Sequence, residues 1–196
     1  AKYMDIYGRN ISIGDYPTIV ASPDNYVHLT TWNLEGNEGE ISIGKYCLLT
    51  PGVRIASASK ITIGDGCMFA NSAYVSDADW HGIYDRATPV GKTSPITLEE
   101  NVWIGDRAVV GKGVKIGKNS IVAAGSVVVK DVPENVIVGG NPSKIIKELN
   151  PEIDGNTRIK LFENPEGLKD LYDQIDQYTL KNNTTLKFET LKTGLI

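Results

Sequence analysis

The chain has 196 residues, of which 41% are hydrophobic and 22% charged, and this length favours a single domain with one well-buried core. Its net charge of −4 argues against a nucleic-acid partner, for which a basic surface would be expected. No apolar stretch approaches the roughly 20 residues that cross a bilayer, and the first ten residues lack a signal-peptide pattern, so we expect neither a transmembrane helix nor a leader.

The N-terminal segment contains the motif ISIGDYPTIV at residues 11–20 and continues as an irregular stretch to Gly39. This pattern predicts an incomplete first coil of a repeat that carries an insertion. His28 lies in the irregular stretch, outside any repeat register. We therefore expect His28 to have a structural role at the surface or in the core.

Apolar side chains recur at every sixth position through the middle of the chain. The series are Ile43, Leu49 and Ile55; Ile63, Phe69 and Val75; and Leu98, Ile104, Val110, Ile116, Val122 and Val128. A period of six is neither a helical period nor a simple strand alternation. It fits a short strand followed by a corner, where a glycine such as Gly64 or Gly105 suits an unusual backbone dihedral. Three such units would close one triangular coil, and stacked coils would bury a continuous aliphatic core.

The two cysteines, Cys47 and Cys67, occupy matching positions of neighbouring repeat units, where small side chains point inward. Neither lies in a CxxC motif or beside a histidine, so free buried thiols are favoured over a disulfide bridge or a metal pair. We therefore expect a reducing, cytoplasmic setting and no metal site.

The repeat breaks after Val75, where the next inward position falls on His81 and the sequence reads SDADWHGIYDRATPVGKTSP before the hexads resume. A loop that leaves a rigid scaffold is a common way to build a binding pocket. At neutral pH a neutral imidazole is a suitable general base, because it can take the proton from a hydroxyl or an amine that acts as a nucleophile. A carboxylate or a carbonyl would orient the ring, and the carboxylates of Asp77, Asp79 and Asp85 are all within reach by sequence.

The hexads stop after Leu149, so we expect one repeat domain over residues 1–149 and a C-terminal extension over residues 150–196. Asn164 followed by Pro165 predicts the start of a helix that runs to about Leu180. We expect its apolar face to pack on the repeat domain or on a neighbouring subunit; this face comprises Leu168, Leu171, Tyr172, Ile175 and Tyr178. The tail TTLKFETLKTGLI, residues 184–196, could add a strand or touch a membrane surface.

The residues from Ile63 to Lys147, among them PITLEENVWIGDRAVVGKGVKIGKNS and GGNPSKII, resemble the hexapeptide-repeat acetyltransferases, which include the maltose, galactoside and xenobiotic acetyltransferases. The resemblance implies a mainly β fold, a left-handed parallel β-helix, and an acyl-CoA-dependent enzyme. It places the catalytic general base at His81, with the loop 82–97 near the active site. It also implies direct attack on acetyl-CoA without an acyl-enzyme, and a homotrimer with active sites between subunits.

The resemblance also assigns binding residues, position by position. Acetyl-CoA would contact Gly105, Asp106, Ala123, Ala124, Val129, Lys130, Lys144 and Lys147. Candidate contacts to the acceptor are Asn71, Tyr84, Arg86 and Trp103. Asp106 stands where many relatives have a serine, and an acid there cannot donate, so any oxyanion stabilisation would come from backbone N–H groups.

These expectations favour transfer of an acetyl group to a hydroxyl, or an amine, of a sugar or cell-surface polysaccharide precursor. A xenobiotic or amino-sugar acetyltransferase is the alternative, and a non-catalytic β-helix binding module is the third hypothesis. The γ-type carbonic anhydrases share the fold but bind zinc through three histidines, and this chain has only two. Two positions that contact sugar in the maltose and galactoside enzymes are Thr50 and Ala58 here, which disfavours a simple disaccharide acceptor.

Overall fold

A computed structural model describes residues 3–34, 36–153, 155 and 157–181. Within them the chain forms twenty short strands, one 3₁₀ helix (Arg158–Phe162) and one α-helix, α1 (Pro165–Leu180). The strands are β1 (Met4–Tyr7), β2 (Ile11–Ile13), β3 (Thr18–Ile19), β4 (Val27–Thr31), β5 (Asn33–Leu34), β6 (Asn37–Glu38), β7 (Glu40–Ile43), β8 (Leu48–Leu49), β9 (Arg54–Ser57), β10 (Lys60–Ile63), β11 (Met68–Phe69), β12 (Tyr74–Ser76), β13 (Ile96–Leu98), β14 (Trp103–Ile104), β15 (Val109–Val110), β16 (Lys115–Ile116), β17 (Ile121–Val122), β18 (Val127–Val128), β19 (Val136–Gly140) and β20 (Ser143–Glu148).

Three sheets form the faces of a triangular β-helix. Face 1 contains β1, β4, β9, β12, β15 and β18; face 2 contains β2, β7, β10, β13 and β16; and face 3 contains β3, β8, β11, β14, β17, β19 and β20. Neighbouring strands within a face are parallel, except that β19 and β20 form an antiparallel hairpin. The described chain passes from face 2 to face 3 to face 1 five times, from β2 to β18, so three hexads close one coil as predicted.

The inward residues of successive coils lie directly above one another. On face 3, Leu49 pairs with Phe69, Phe69 with Ile104, and Ile104 with Val122, and all four side chains are fully buried. Burying an aliphatic or aromatic side chain of this size stabilises the fold by roughly 1.5–3 kcal/mol. The periodic positions therefore form the continuous core that the sequence predicts.

The glycines that follow the inward positions have a different role from the one predicted. Gly64 and Gly105 do not have positive φ angles, so no unusual dihedral requires a glycine there. A Cβ atom on Gly105 would lie 2.6 Å from the backbone nitrogen of Ala124 in the next coil, and one on Gly64 would lie 2.7 Å from the backbone of Glu99. These glycines are needed because the coils approach too closely for a side chain.

The coils turn at three edges, and most of the positive φ angles lie there. Edge I joins face 3 to face 1 through the turns 50–53, 70–73, 105–108 and 123–126; edge II joins face 1 to face 2; and edge III joins face 2 to face 3. In each edge I turn the fourth N–H donates to the first carbonyl, as Ser126 does to Ala123 at 3.3 Å. The third residue has a positive φ, +78° at Gly52 and +68° at Gly125, which is the pattern of a type II turn.

The first coil is complete, contrary to the sequence prediction. β2, β3 and β4 each pair with the next strand on their own face, and β1 adds a further strand beside β4. The insertion is a separate antiparallel pair, β5 and β6. His28 lies in β4, in register with Arg54 on β9, so it does belong to the repeat. The irregular residues before β4 interrupt the six-residue spacing, so the sequence pattern did not show that His28 belongs to the repeat.

The chain divides into two compact units, residues 1–159 and residues 160–196. In the second unit the predicted helix is confirmed: it starts after Asn164, whose side chain accepts a 3.0 Å hydrogen bond from the N–H of Gly167, and it ends at Leu180. On its apolar face Leu171, Tyr172 and Ile175 are about half exposed. The tail 184–196 lies outside the described residues. No helix in the described part of the chain is long and apolar enough to span a membrane.

Candidate active site

A loop leaves the β-helix at edge II, after β12. Its stem is closed by backbone pairing: the N–H of Asp79 donates to the carbonyl of Lys92 at 2.9 Å, and that of Gly91 donates to the carbonyl of Asp79 at 2.7 Å. Ala78 and Thr93 form the antiparallel bridge between the two sides. The predicted break in the repeat is therefore a short hairpin-like excursion, and its tip spans residues 80–90.

His81 lies just beyond the stem and is exposed. Its backbone carbonyl packs so closely on Gly91 that a Cβ atom there would lie 2.4 Å from the oxygen. Among the described residues, no side chain or backbone group hydrogen-bonds to the His81 ring. A fixed backbone with a free imidazole leaves the ring nitrogens available to a bound molecule.

The three carboxylates near His81 in sequence all have other partners. Asp77 is fully buried and accepts hydrogen bonds from the Ser57 hydroxyl and the backbone of the preceding coil. Asp79 pairs with Lys112 at 2.5 Å. Asp85 accepts from Thr88 at 2.9 Å and from the N–H of Ala87 at 3.0 Å, which closes a turn in the loop tip. None of the three contacts the His81 ring in the described chain.

The four candidate acceptor contacts lie at separate places in one chain. Asn71 is in an edge I turn, and Trp103 lies on face 3 between Met68 and Ile121 with 44% of its surface exposed. Tyr84 and Arg86 are exposed in the loop tip, and the Tyr84 side chain is completely exposed. A single chain therefore does not assemble these residues around His81.

Edge I presents unpaired backbone donors in a row. Asn71, Asp106 and Ala124 are the second residues of successive turns, and their N–H groups have no hydrogen-bond partner within the described residues. In two turns of edge III an acid caps the same position: the N–H of Lys45 donates to Asp65 at 2.7 Å, and that of Lys118 donates to Glu99 at 3.0 Å. Edge I can therefore bind a ligand rich in carbonyl and phosphate oxygens through its backbone.

The residues predicted to bind acetyl-CoA fall in three separate places of one chain. Gly105, Asp106, Ala123 and Ala124 lie on edge I, whereas Val129 and Lys130 follow β18 on edge II. The strand β18 of face 1 lies between Ala124 and Val129, so the two groups are on opposite sides of that face. Lys144 and Lys147 are exposed on β20, at the end of face 3. A ligand that contacts both edges at once would need edges from two chains or would have to span the face.

The cysteines do not offer a surface nucleophile. Cys47 and Cys67 are free thiols with no exposed area, stacked in the core in neighbouring coils. Hydrogen bonding with Cys47, together with burial, raises the pKa of the Cys67 thiol well above its usual range. The described residues also contain no group of three or more histidine, cysteine, aspartate or glutamate side chains that could hold a metal ion.

Sequence reasoning missed Lys112 as a partner of the loop. Lys112 follows β15 at edge II, directly below the position where the loop leaves, and its ammonium group holds the Asp79 carboxylate of the stem. The register supplies the signal, because Val75 and Val110 are paired on face 1 and residues 77 and 112 are each two positions further on.

Known proteins share this repeat. A family model described as bacterial transferase hexapeptide (six repeats) matches residues 95–130. Galactoside O-acetyltransferase from Escherichia coli (strain K12) is 37% identical over 112 residues, which cover 56% of this chain and 55% of that protein. A 2,3,4,5-tetrahydropyridine-2,6-dicarboxylate N-acetyltransferase from Clostridium perfringens (strain SM101 / Type A) is 54% identical over 71 residues, 36% of this chain and 30% of that protein. The chain thus spans about half the length, or less, of these curated relatives.

A solved structure is similar over more of the chain. A hexapeptide-repeat-containing acetyltransferase from Vibrio cholerae superimposes with a TM-score of 0.59 at 31% identity, covering 70% of this chain and 73% of that one. The same protein complexed with acetyl coenzyme A matches with a TM-score of 0.55 at 29% identity, covering 71% of each chain. The left-handed β-helix implied by the sequence resemblance is the fold of this chain.

Proposed function

This chain belongs to the hexapeptide-repeat acetyltransferase family, and we propose that it transfers an acetyl group from acetyl-CoA to a hydroxyl group of a sugar or cell-surface polysaccharide precursor. The observation that carries the proposal is His81: an exposed imidazole that has no hydrogen-bond partner among the described residues, held on the loop that interrupts the repeat. The similarity to a galactoside O-acetyltransferase supports a sugar hydroxyl as the acceptor, and the acetyl-CoA complex of the Vibrio cholerae protein supports the donor.

In the proposed mechanism His81 acts as the general base. Its free ring nitrogen takes the proton of the acceptor hydroxyl while the oxygen attacks the thioester carbonyl carbon. The C–S bond then breaks, and the imidazolium returns the proton to the departing thiolate. A positioned base of this kind contributes roughly a hundred- to ten-thousand-fold to the rate. Because both cysteines are buried, direct attack on the thioester is favoured over an acyl-enzyme.

Backbone groups of edge I are the proposed binding site for acetyl-CoA. The free N–H groups of Asp106 and Ala124 can donate to pantetheine carbonyls or to the developing oxyanion, which the ionised Asp106 side chain cannot do. Lys130, Lys144 and Lys147 supply positive charge for the phosphates of the nucleotide. Since Lys130 and Ala124 lie on different edges, we propose a homotrimer in which edge I of one subunit faces edge II and His81 of the next.

An amine acceptor is the second candidate. The N-acetyltransferase relative is 54% identical over 71 residues, a higher local identity than that of the galactoside enzyme. A free imidazole can take a proton from an attacking amine as well as from a hydroxyl, so the catalytic residue does not discriminate between the two. The stability of the acetylated product distinguishes an ester from an amide, because mild alkali cleaves an ester and does not cleave an amide.

The test is an assay of thiol release from acetyl-CoA against sugars, nucleotide sugars and aminoglycosides, with wild type and His81→Ala compared on the acceptor found. We expect acetyl-CoA to raise the melting temperature of both proteins equally. Turnover by His81→Ala should fall at least a hundredfold. If the variant kept most of its rate, His81 would not be the base, and if neither protein bound acetyl-CoA the proposed function would be wrong.

A further inference from the structure

A pocket of about 280 Å³ opens on face 1 beside the loop that carries His81. Its walls come from three successive coils and from the loop, and the side chains that matter here are His28, Trp32, Arg54, Tyr74 and Trp80. The sequence suggests no ligand for it, since none of these five residues was among the candidate acceptor contacts. Trp80 directly precedes His81, so their Cα atoms are about 3.8 Å apart.

The outward register of face 1 builds the floor of this pocket. His28 pairs with Arg54, and Arg54 pairs with Tyr74, so the three side chains lie one above the other on β4, β9 and β12. A pleated strand points alternate residues outward, and the same residues therefore face solvent in each coil. The floor is consequently rigid, because it belongs to the repeat itself.

Two indole rings form the wall. The ring centroids of Trp32 and Trp80 are 5.7 Å apart and their planes are inclined at 53°. The Nε1–H of Trp80 donates a 3.2 Å hydrogen bond to the hydroxyl of Tyr74, which fixes the ring against the floor. Trp32 nevertheless keeps 41% of its surface exposed. A large, fixed aromatic surface that stays in contact with water is typical of a binding site for a ring with an apolar face.

Arg54 supplies an unpaired positive charge in the same pocket. Its guanidinium lies 5.5 Å from the centroid of the Tyr74 ring, a cation–π contact that orients it without using its N–H donors. No carboxylate of the described residues lies within salt-bridge distance of Arg54; the nearby Asp5 instead contacts His28 at 3.4 Å. An oriented, unpaired guanidinium is suited to a phosphate or a carboxylate.

We propose that this pocket is the acceptor site and that the acceptor is a sugar ring bearing an anionic group, with the ring against Trp32 and Trp80 and the anion on Arg54. The assignment rests on the proposed function, because it places the acceptor next to His81. It deepens that function by replacing "a sugar" with a charged sugar. The anion has two possible sources, the phosphate of an activated sugar or the carboxylate of a uronic acid.

Intrinsic fluorescence tests binding without any assumption about turnover. The chain has three tryptophans, and two of them, Trp32 and Trp80, lie in the pocket as reporters. Glucose 1-phosphate, UDP-glucose, glucuronate and neutral glucose are titrated into the wild-type protein. We expect a saturable change with at least one anionic sugar and a much weaker one with glucose. Tighter binding of glucose 1-phosphate or UDP-glucose would identify a phosphate as the anion, and tighter binding of glucuronate would identify a carboxylate.

Arg54→Met should weaken the affinity for the anionic sugar about tenfold to a hundredfold and leave the affinity for neutral glucose unchanged. Arg54→Lys should recover part of the lost affinity. Lys60→Met is the matched control, because Lys60 is an exposed cation on face 2. Equal affinities for charged and neutral sugars, or no effect of Arg54→Met, would overturn the proposal. So would a change of oligomeric state in Arg54→Met and Trp32→Ala without a change in the fluorescence response, which would make this surface a subunit contact.

The two proposals can fail separately. If His81→Ala loses turnover but Arg54→Met keeps the wild-type KM for the acceptor, the proposed acetyltransferase function stands and the pocket is not its acceptor site. If an anionic sugar binds in a way that depends on Arg54 but acetyl-CoA does not bind, the pocket is a sugar site and the proposed acetyltransferase function is wrong.

Discussion

The buried carboxylate of Asp77 accepts a 2.6 Å hydrogen bond from the hydroxyl of Ser57, one coil away. Its two oxygens also accept from the backbone N–H groups of Ala58, at 2.8 Å, and Ser59, at 3.0 Å. Asp77 is the first residue of the loop stem, and Ser94 on the other side of the stem donates to its carbonyl at 2.9 Å. The loop that carries the proposed base is therefore anchored to the preceding coil through one fully buried side chain.

Asp77→Ala should lower the free energy of unfolding by about 2–5 kcal/mol, because it leaves two backbone N–H groups and a hydroxyl without acceptors. Urea denaturation measures this loss. Asp85→Ala is the control: its carboxylate bonds only within the exposed loop tip, and we expect a change of less than about 1 kcal/mol. Equal stability of the two variants would show that Asp77 is not the anchor.

Lys112→Met should reduce turnover more than it reduces stability. The pair between Lys112 and Asp79 is about one-third exposed at each side chain, and such pairs contribute about 0–1 kcal/mol. Removing it nevertheless frees the stem of the loop, so we expect kcat to fall severalfold while the melting temperature changes little. Lys118→Met breaks a comparable pair with Glu100 on edge III and should leave kcat unchanged. Equal kcat values in both variants would contradict a positioning role for Lys112.

Ala124→Pro removes one backbone donor from edge I at a turn position that suits proline. Ala124 is the second residue of a type II turn, where proline is favoured, and Pro51 already occupies the same position three coils away. We expect stability within about 1 kcal/mol of wild type and a twofold to tenfold weaker affinity for acetyl-CoA, measured by calorimetry. The control is Glu100→Pro, at the same turn position on edge III. If both variants weakened binding equally, or neither did, edge I would not be the binding surface.

The core of this fold is predictable because its pattern is local. Each inward position, such as Ile104 or Val122, is six residues from the next, and neither has any exposed surface. The start of helix α1 is predictable for the same reason, since Asn164 and Pro165 carry the signal themselves. The first coil was predicted to be incomplete because Leu29 is ten positions after Ile19, and a six-residue search loses the register there.

The contacts around the loop were not predictable because they join residues from different coils. Ser57 and Asp77 are 20 residues apart, and Asp79 and Lys112 are 33 residues apart. Nearness in sequence made Asp77, Asp79 and Asp85 equal candidates to orient His81. Only the stacking of the coils showed which acceptors were already used, whereas His81 is a candidate from the sequence alone because it lies where the periodic pattern breaks.

A ladder of asparagines on edge III provides a last prediction. Asn119 accepts a 3.0 Å hydrogen bond from Asn101 and donates one of 2.9 Å to Asn135, and its φ angle is +61°. Asn119→Gly loses both hydrogen bonds but tolerates the dihedral, so we expect a loss of about 1–3 kcal/mol. Asn119→Ala should lose about 1–2 kcal/mol more, because a Cβ atom disfavours the left-handed region. Equal stability of the two variants in urea would mean that the backbone dihedral imposes no cost at this turn.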